Sequence, residues 1–126
     1  MLCTKQLDDA RFFMALDHIA LIVTKEENLK FYEKLGFREK TRIIRNYDTV
    51  VIMEHDEIIL EIFVDSNHPE RVEFPEQKGL RHIAFGVNDL SKIDIPYGEL
   101  RNDWFGRKYV FIKDPDGQPI EIIEKN

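Results

Sequence analysis

Cysteine is nearly absent. Cys3 is the only one, so no intrachain disulfide and no cysteine-based zinc cluster can form. There is no basic excess either: 18 Lys and Arg stand against 24 Asp and Glu, a formal charge of −6. A nucleic-acid binder would normally carry a basic patch, so the balance argues against that class. No apolar run approaches the roughly 20 residues that cross a bilayer, which excludes a membrane-spanning helix. Lys5, Asp8, Asp9 and Arg11 interrupt the opening residues, where a secretory signal needs an unbroken apolar stretch. Glycine-rich phosphate loops, G-x-S-x-G and any nucleophile–base pattern are missing too. The expectation is an acidic, cytoplasmic chain of 126 residues, long enough for one domain with a real core. Its partner is expected to be a small molecule rather than a nucleic acid or a membrane.

The run LDHIALIV, residues 16–23, reads as a strand with both faces largely apolar. Thr24 and Glu27 have capping-box spacing, which predicts a helix start. Leu29, Phe31, Tyr32 and Leu35 form its apolar stripe, and Gly36 suits the left-handed residue that ends it. Strands are predicted over 37–46, 49–54 and 58–64, with turns at 47–48 and 55–57. The first half therefore reads β-α-β-β-β.

The second half repeats the first. Leu16-Asp17-His18-Ile19-Ala20-Leu21-Ile22-Val23 aligns on Leu80-Arg81-His82-Ile83-Ala84-Phe85-Gly86-Val87, with five of eight positions identical. Leu60-Glu61-Ile62 matches Ile120-Glu121-Ile122, at an offset four residues smaller. The deletion is placed around residues 89–99, where Pro96 and Gly98 interrupt what is a full helix in the first copy. Between the copies lie residues 65–79, rich in charge and proline; connectors this long are often functional covers or interface pieces. Asp114-Pro115-Asp116-Gly117 is a strong turn signal between a strand over 108–113 and the last strand.

Side chains alternate across a strand, so the repeats make a geometric statement. His18 shares a face with Ala20 and Ile22, and His82 with Ala84 and Gly86. Glu61 sits with Ile59 and Phe63, and Glu121 with Pro119 and Ile123. A pseudo-twofold relation between the copies would bring two imidazoles and two carboxylates to one place, with small residues beside each histidine. Such a donor set suits a divalent metal: zinc, nickel, cobalt, iron or manganese. Taken singly, a histidine in a strand is more often a hydrogen-bonded core residue than a ligand, and a glutamate can point outward at an edge. Two carboxylates on apolar faces nevertheless call for a partner. The other candidates weigh less. His55 and His68 read as surface residues, Trp104 and Phe105 as pocket lining or aromatic packing, and Cys3 as part of a tail.

These segments, with ENLKFYEKLGF, ILEIF, GLRHIAFGV and KYVFIKDPDGQPIEIIE in order on a visible duplication, resemble the vicinal oxygen chelate superfamily. Within it the chain is similar to the small glyoxalase I-like (lactoylglutathione lyase-related) proteins. The resemblance implies an α+β fold of two βαβββ modules, about 14–66 and 78–126, whose sheets curl around a metal cleft. It also implies that His18, Glu61, His82 and Glu121 are the metal ligands, that the chain forms a homodimer, and that the cleft is often built between subunits. By the same measure Met14 is a natural start, leaving residues 1–13 as an extension or a misassigned start.

The implied activity is that of a lyase or isomerase acting on the hemithioacetal of a 2-oxoaldehyde and a thiol. A carboxylate, Glu121 by resemblance with Glu61 as the alternative, would move a carbon-bound proton through a metal-stabilised enediolate. Two positions depart from the pattern. Ile22 stands where bacterial glyoxalase I tends to carry an arginine that holds the glutathione carboxylate. Asp65 replaces an asparagine, and an acid there would repel a carboxylate. Other thiol adducts therefore stay open, as do an acyl-thioester epimerase, a thiol transferase on the same metal site, and a metal-free sequestering module.

Overall fold

The computed structural model describes residues 12–125. Its first module runs β1 (Ile19–Val23), a 3-10 turn (Glu26–Asn28), α1 (Leu29–Lys34), β2 (Arg38–Ile44), β3 (Thr49–His55) and β4 (Ile58–Val64). The second runs β5 (Ile83–Val87), a 3-10 turn (Leu90–Lys92), β6 (Arg101–Asn102), β7 (Lys108–Lys113) and β8 (Pro119–Glu124). Each module forms one mixed four-stranded sheet, ordered β1-β4-β3-β2 and β5-β8-β7-β6, and neither closes into a barrel. The duplication is exact in register. Ala20 pairs with Glu61 in the parallel β1–β4 ladder, and Ala84 with Glu121 in β5–β8. The same bond closes both ladders, Asp65 N–H donating to the Val23 carbonyl and Lys125 N–H to that of Val87.

Alternation decides which face is buried. Leu21 and Val23 of β1, Leu60 and Ile62 of β4, and Val51 and Met53 of β3 point to the core. Val110, Ile112, Ile120 and Ile122 of the second sheet join the same apolar cluster, with Leu29, Tyr32 and Phe37 among them. The two sheets thus share one core. The opposite faces, which carry His18, Ala20 and Ile22 in one module and His82, Ala84 and Gly86 in the other, are left outward.

Several local expectations change. Thr24 does not cap the helix: the residue before the 3-10 turn is Lys25, with no side-chain cap. Thr24 instead gives both its hydroxyl and its N–H to Asp116 of the other module, joined by the Asn28 side chain at 2.9 Å. Tertiary pairing has outbid a local cap. Gly36 does end α1, at φ +103°, with Gly36 N–H on the Glu33 carbonyl and Phe37 N–H on that of Tyr32. This is the paired-bond ending that a left-handed glycine permits. Phe37 therefore belongs to the helix ending and the core rather than to the strand expected from 37, and β2 begins at Arg38. His55 closes β3 instead of opening a turn, and its ring meets that of Phe37 at 5.6 Å. In the second module the helix is reduced to one 3-10 turn, as Pro96 and Gly98 predicted.

The DPDG turn joins the modules. Gly117 takes φ +88°, and Asp114 Oδ1 accepts the N–H groups of Asp116 and Gln118. Its other oxygen accepts the Tyr32 hydroxyl at 2.6 Å. Burial, and then the Asp114 charge, push the Tyr32 phenol far above its ordinary range, so it stays a donor. Among the described residues no helix is long and apolar enough to cross a membrane. Cys3 and residues 1–11 of the expected extension lie outside the described residues, while Phe12 and Phe13 are exposed.

Candidate functional site

Each histidine is the residue immediately before its strand, and each glutamate lies one strand away on the same face. The result is one imidazole–carboxylate pair per module. His18 Nε2 stands 3.4 Å from Glu61 Oε1, and His82 Nε2 stands 2.9 Å from Glu121 Oε1. The two pairs remain on their own sheets. Among the described residues, no group of three or more His, Cys, Asp or Glu side chains is arranged to hold a metal ion. The expected four-residue set is therefore not assembled within one chain.

The pairs differ in their surroundings. The His82 and Glu121 side chains are 25% and 15% exposed, against 40% and 33% for His18 and Glu61. His82 and Glu121 line a cavity of about 1000 Å³. Its floor is the outward face of the second sheet. Phe111 pairs with Glu121 across β7–β8, Tyr109 with Ile123, and Arg101 with Tyr109. The Phe111 ring meets His82 edge to face at 4.9 Å. Its rim includes Arg71, Glu73 and Lys78 of the long connector, which fits the reading of that segment as a cover. Trp104 also lines the cavity, yet it is 97% exposed at the β6–β7 tip, so the aromatic-packing reading fails for it. Asp103, which accepts the Phe105 and Arg107 N–H groups and the Arg107 guanidinium, shapes that tip.

On the first sheet the face beside Glu61 carries Ile22, half exposed, and Phe63. The Arg45 guanidinium lies 4.5 Å from the Tyr47 ring centroid and 5.4 Å from that of Phe63. Asp48 holds it with two bonds of 2.6 and 2.7 Å, which pull the Asp48 carboxyl below its ordinary value. Asp65 accepts the Asn67 N–H and faces His68 at 3.3 Å, so its charge is engaged within its own loop. His18 has a second neighbour: its Nδ1 lies 2.7 Å from Asp17 Oδ2. That bond is the main cause of a raised His18 pKa, opposed by desolvation and aided by the Glu61 charge.

Sequence reasoning missed Asp17, Arg45 and Phe111. Phe111 was recoverable, because a DPDG turn pairing Lys113 with Pro119 places it opposite Glu121. Arg45 carried no signal, since only its stacking on Phe63, across two strands, marks it.

Two mixed sheets of β-α-β-β-β descent, each presenting a His–Glu pair from equivalent register, define a duplicated αβ domain of the vicinal oxygen chelate type. Residues 15–93 match the model of the Glyoxalase/Bleomycin resistance protein/Dioxygenase superfamily, and the chain belongs to that superfamily. It is 34% identical over 124 residues to the protein YwkD of Bacillus subtilis (strain 168), covering 88% of this chain and 97% of YwkD. To YaeR of Escherichia coli (strain K12) it is 32% identical over 121 residues, covering 86% and 94% of the two chains. A crystal structure of a glyoxalase family protein from Enterococcus faecalis superimposes with a TM-score of 0.80 at 34% identity, covering 90% of this chain and all of that one.

Proposed function

We propose that the chain is a metal-dependent glyoxalase I-like lyase, acting on the hemithioacetal of a 2-oxoaldehyde and a thiol, and that two copies build each site. One copy would supply His18 and Glu61, the other His82 and Glu121. The observation that supports this is the repeated approach of an imidazole Nε2 to a carboxylate Oε1 in both modules. The donor chemistry fits a divalent ion, because two imidazole nitrogens and two carboxylate oxygens suit zinc, nickel, cobalt, iron or manganese. Each chain offers half of that set on each sheet, so facing pairs from two chains complete it. A divalent ion held by these four residues would supply Lewis-acid stabilisation of the negative charge that develops on the substrate.

The chain's own residues do the rest. Glu121 Oε takes the carbon-bound proton and returns it to the adjacent carbon, acting first as general base and then as general acid. Phe111 and Tyr109 give the substrate body an apolar wall, and the connector over the cavity limits water. Ile22 supplies no cation beside Glu61, and the Arg45 guanidinium on that face is already held by Asp48, which favours a thiol other than glutathione. The test is turnover of methylglyoxal with a panel of thiols, run separately with nickel, cobalt, zinc and manganese. In the metal-loaded protein, Glu121→Gln should slow solvent-deuterium exchange by about 10²–10⁴-fold, the usual worth of a positioned proton carrier. An unchanged exchange rate in that variant sinks the reading.

A further inference from the structure

The duplication supplies its own control for the residue that precedes each histidine. In the first module that residue is Asp17, whose Oδ2 lies 2.7 Å from His18 Nδ1. In the second it is Arg81, which turns away to Glu76, its Nε 3.1 and 3.3 Å from the two carboxylate oxygens. Among the described residues, the His82 ring meets Glu121, at Nε2, and the edge-to-face ring of Phe111. A carboxylate can only accept, so in the neutral His18 ring the single N–H sits on Nδ1. Nε2, on the side of Glu61, is then left with its lone pair outward. The longer separation there, 3.4 Å against 2.9 Å, is what a lone pair facing a carboxylate should show. At 2.9 Å, His82 Nε2 is placed to donate its own hydrogen to Glu121, and it must give that hydrogen up before it can ligate.

The geometry points to Asp17 as a positioning residue. It holds His18 in the ligand-ready tautomer, so that the His18–Glu61 half captures the divalent cation and the His82–Glu121 half completes its shell. This rests on the metal reading above and goes beyond it, by making the two halves unequal and naming the side chain that does so. Carboxylates on the far nitrogen of a ligating imidazole fix its ring and raise its basicity, and their loss typically weakens metal binding by about 10–100-fold.

The experiment measures cobalt(II) affinity of the full chain by chelator competition, together with the visible absorption of the bound ion. Asp17→Asn should weaken cobalt binding by about tenfold or more. Asp17→Glu, which keeps an accepting carboxylate, should recover part of the loss. Thermal unfolding of the metal-free protein should be the same for wild type and Asp17→Asn, because the Asp17 side chain is 94% exposed and supports no packing. A cobalt affinity within twofold of wild type in Asp17→Asn, with His18→Ala losing the metal, overturns this inference and leaves the metal reading intact. A wild-type chain that binds no cobalt overturns both.

Discussion

Tyr32→Phe tests the joint between the modules. The phenol ring is fully buried, and its hydroxyl reaches 82 residues along the chain to Asp114, itself only 4% exposed. Removing the hydroxyl leaves the ring in place and takes one donor from a buried carboxylate. Hydrogen bonds to charged groups contribute about 1.5–3 kcal/mol. The Asp116 and Gln118 N–H groups stay on the other oxygen, so the loss should stop short of the larger cost of a stranded charge. Unfolding entropy of about 2.1 cal/mol/K per residue, taken over the chain, converts that range to a fall in Tm of about 6–11 °C. Urea and thermal unfolding at one fixed protein concentration measure it, because self-association would otherwise shift the midpoint. The slope against urea should not change, since the surface exposed on unfolding is the same. A loss below about 0.5 kcal/mol would refute the claim that Asp114 depends on this donor, and would leave the shared apolar core and the Asp116 bonds as the joint.

Asp116 predicts the acid limb of stability. Burial pushes its carboxyl up, but the Thr24 hydroxyl and N–H and the Asn28 amide together outweigh that and hold it below its ordinary value. A depressed folded pKa means the contribution is complete above the ordinary carboxylate range and is lost as pH falls through the lowered value. Asp116→Asn should therefore flatten the decline in urea stability below about pH 4, and parallel declines in wild type and variant would count against it. Self-association offers a second check on the shared-site proposal. Binding linked to assembly is reciprocal, so nickel or cobalt should tighten the dimer in sedimentation velocity, and His18→Ala should abolish that response. Metal bound one per chain with no change in sedimentation would argue for a site within each chain.

What could be read from the chain, and what could not, divides along the range of the interaction. The strands, the Gly36 ending and the DPDG turn are local, set by alternation and by positive φ, and all are present at or near the expected residues. The equivalent places of Glu61 and Glu121 in the two modules were also legible, because a repeat in sequence is here a repeat in register. Thr24 misled because its cap spacing is a local signal, whereas Asp116, 92 residues away, offers it two bonds at once. The meeting of the two pairs is a matter of how whole sheets face one another, and no spacing within a strand encodes that. The duplication also hides a difference. Five identities in eight make the two histidines look equivalent, yet the position before them is Asp in one copy and Arg in the other. That one exchange reverses the charge of the preceding residue and gives one imidazole an acceptor that the other, among the described residues, lacks. Where a repeat has been kept for a shared site, the positions at which its copies disagree are the ones that assign separate tasks to the two halves.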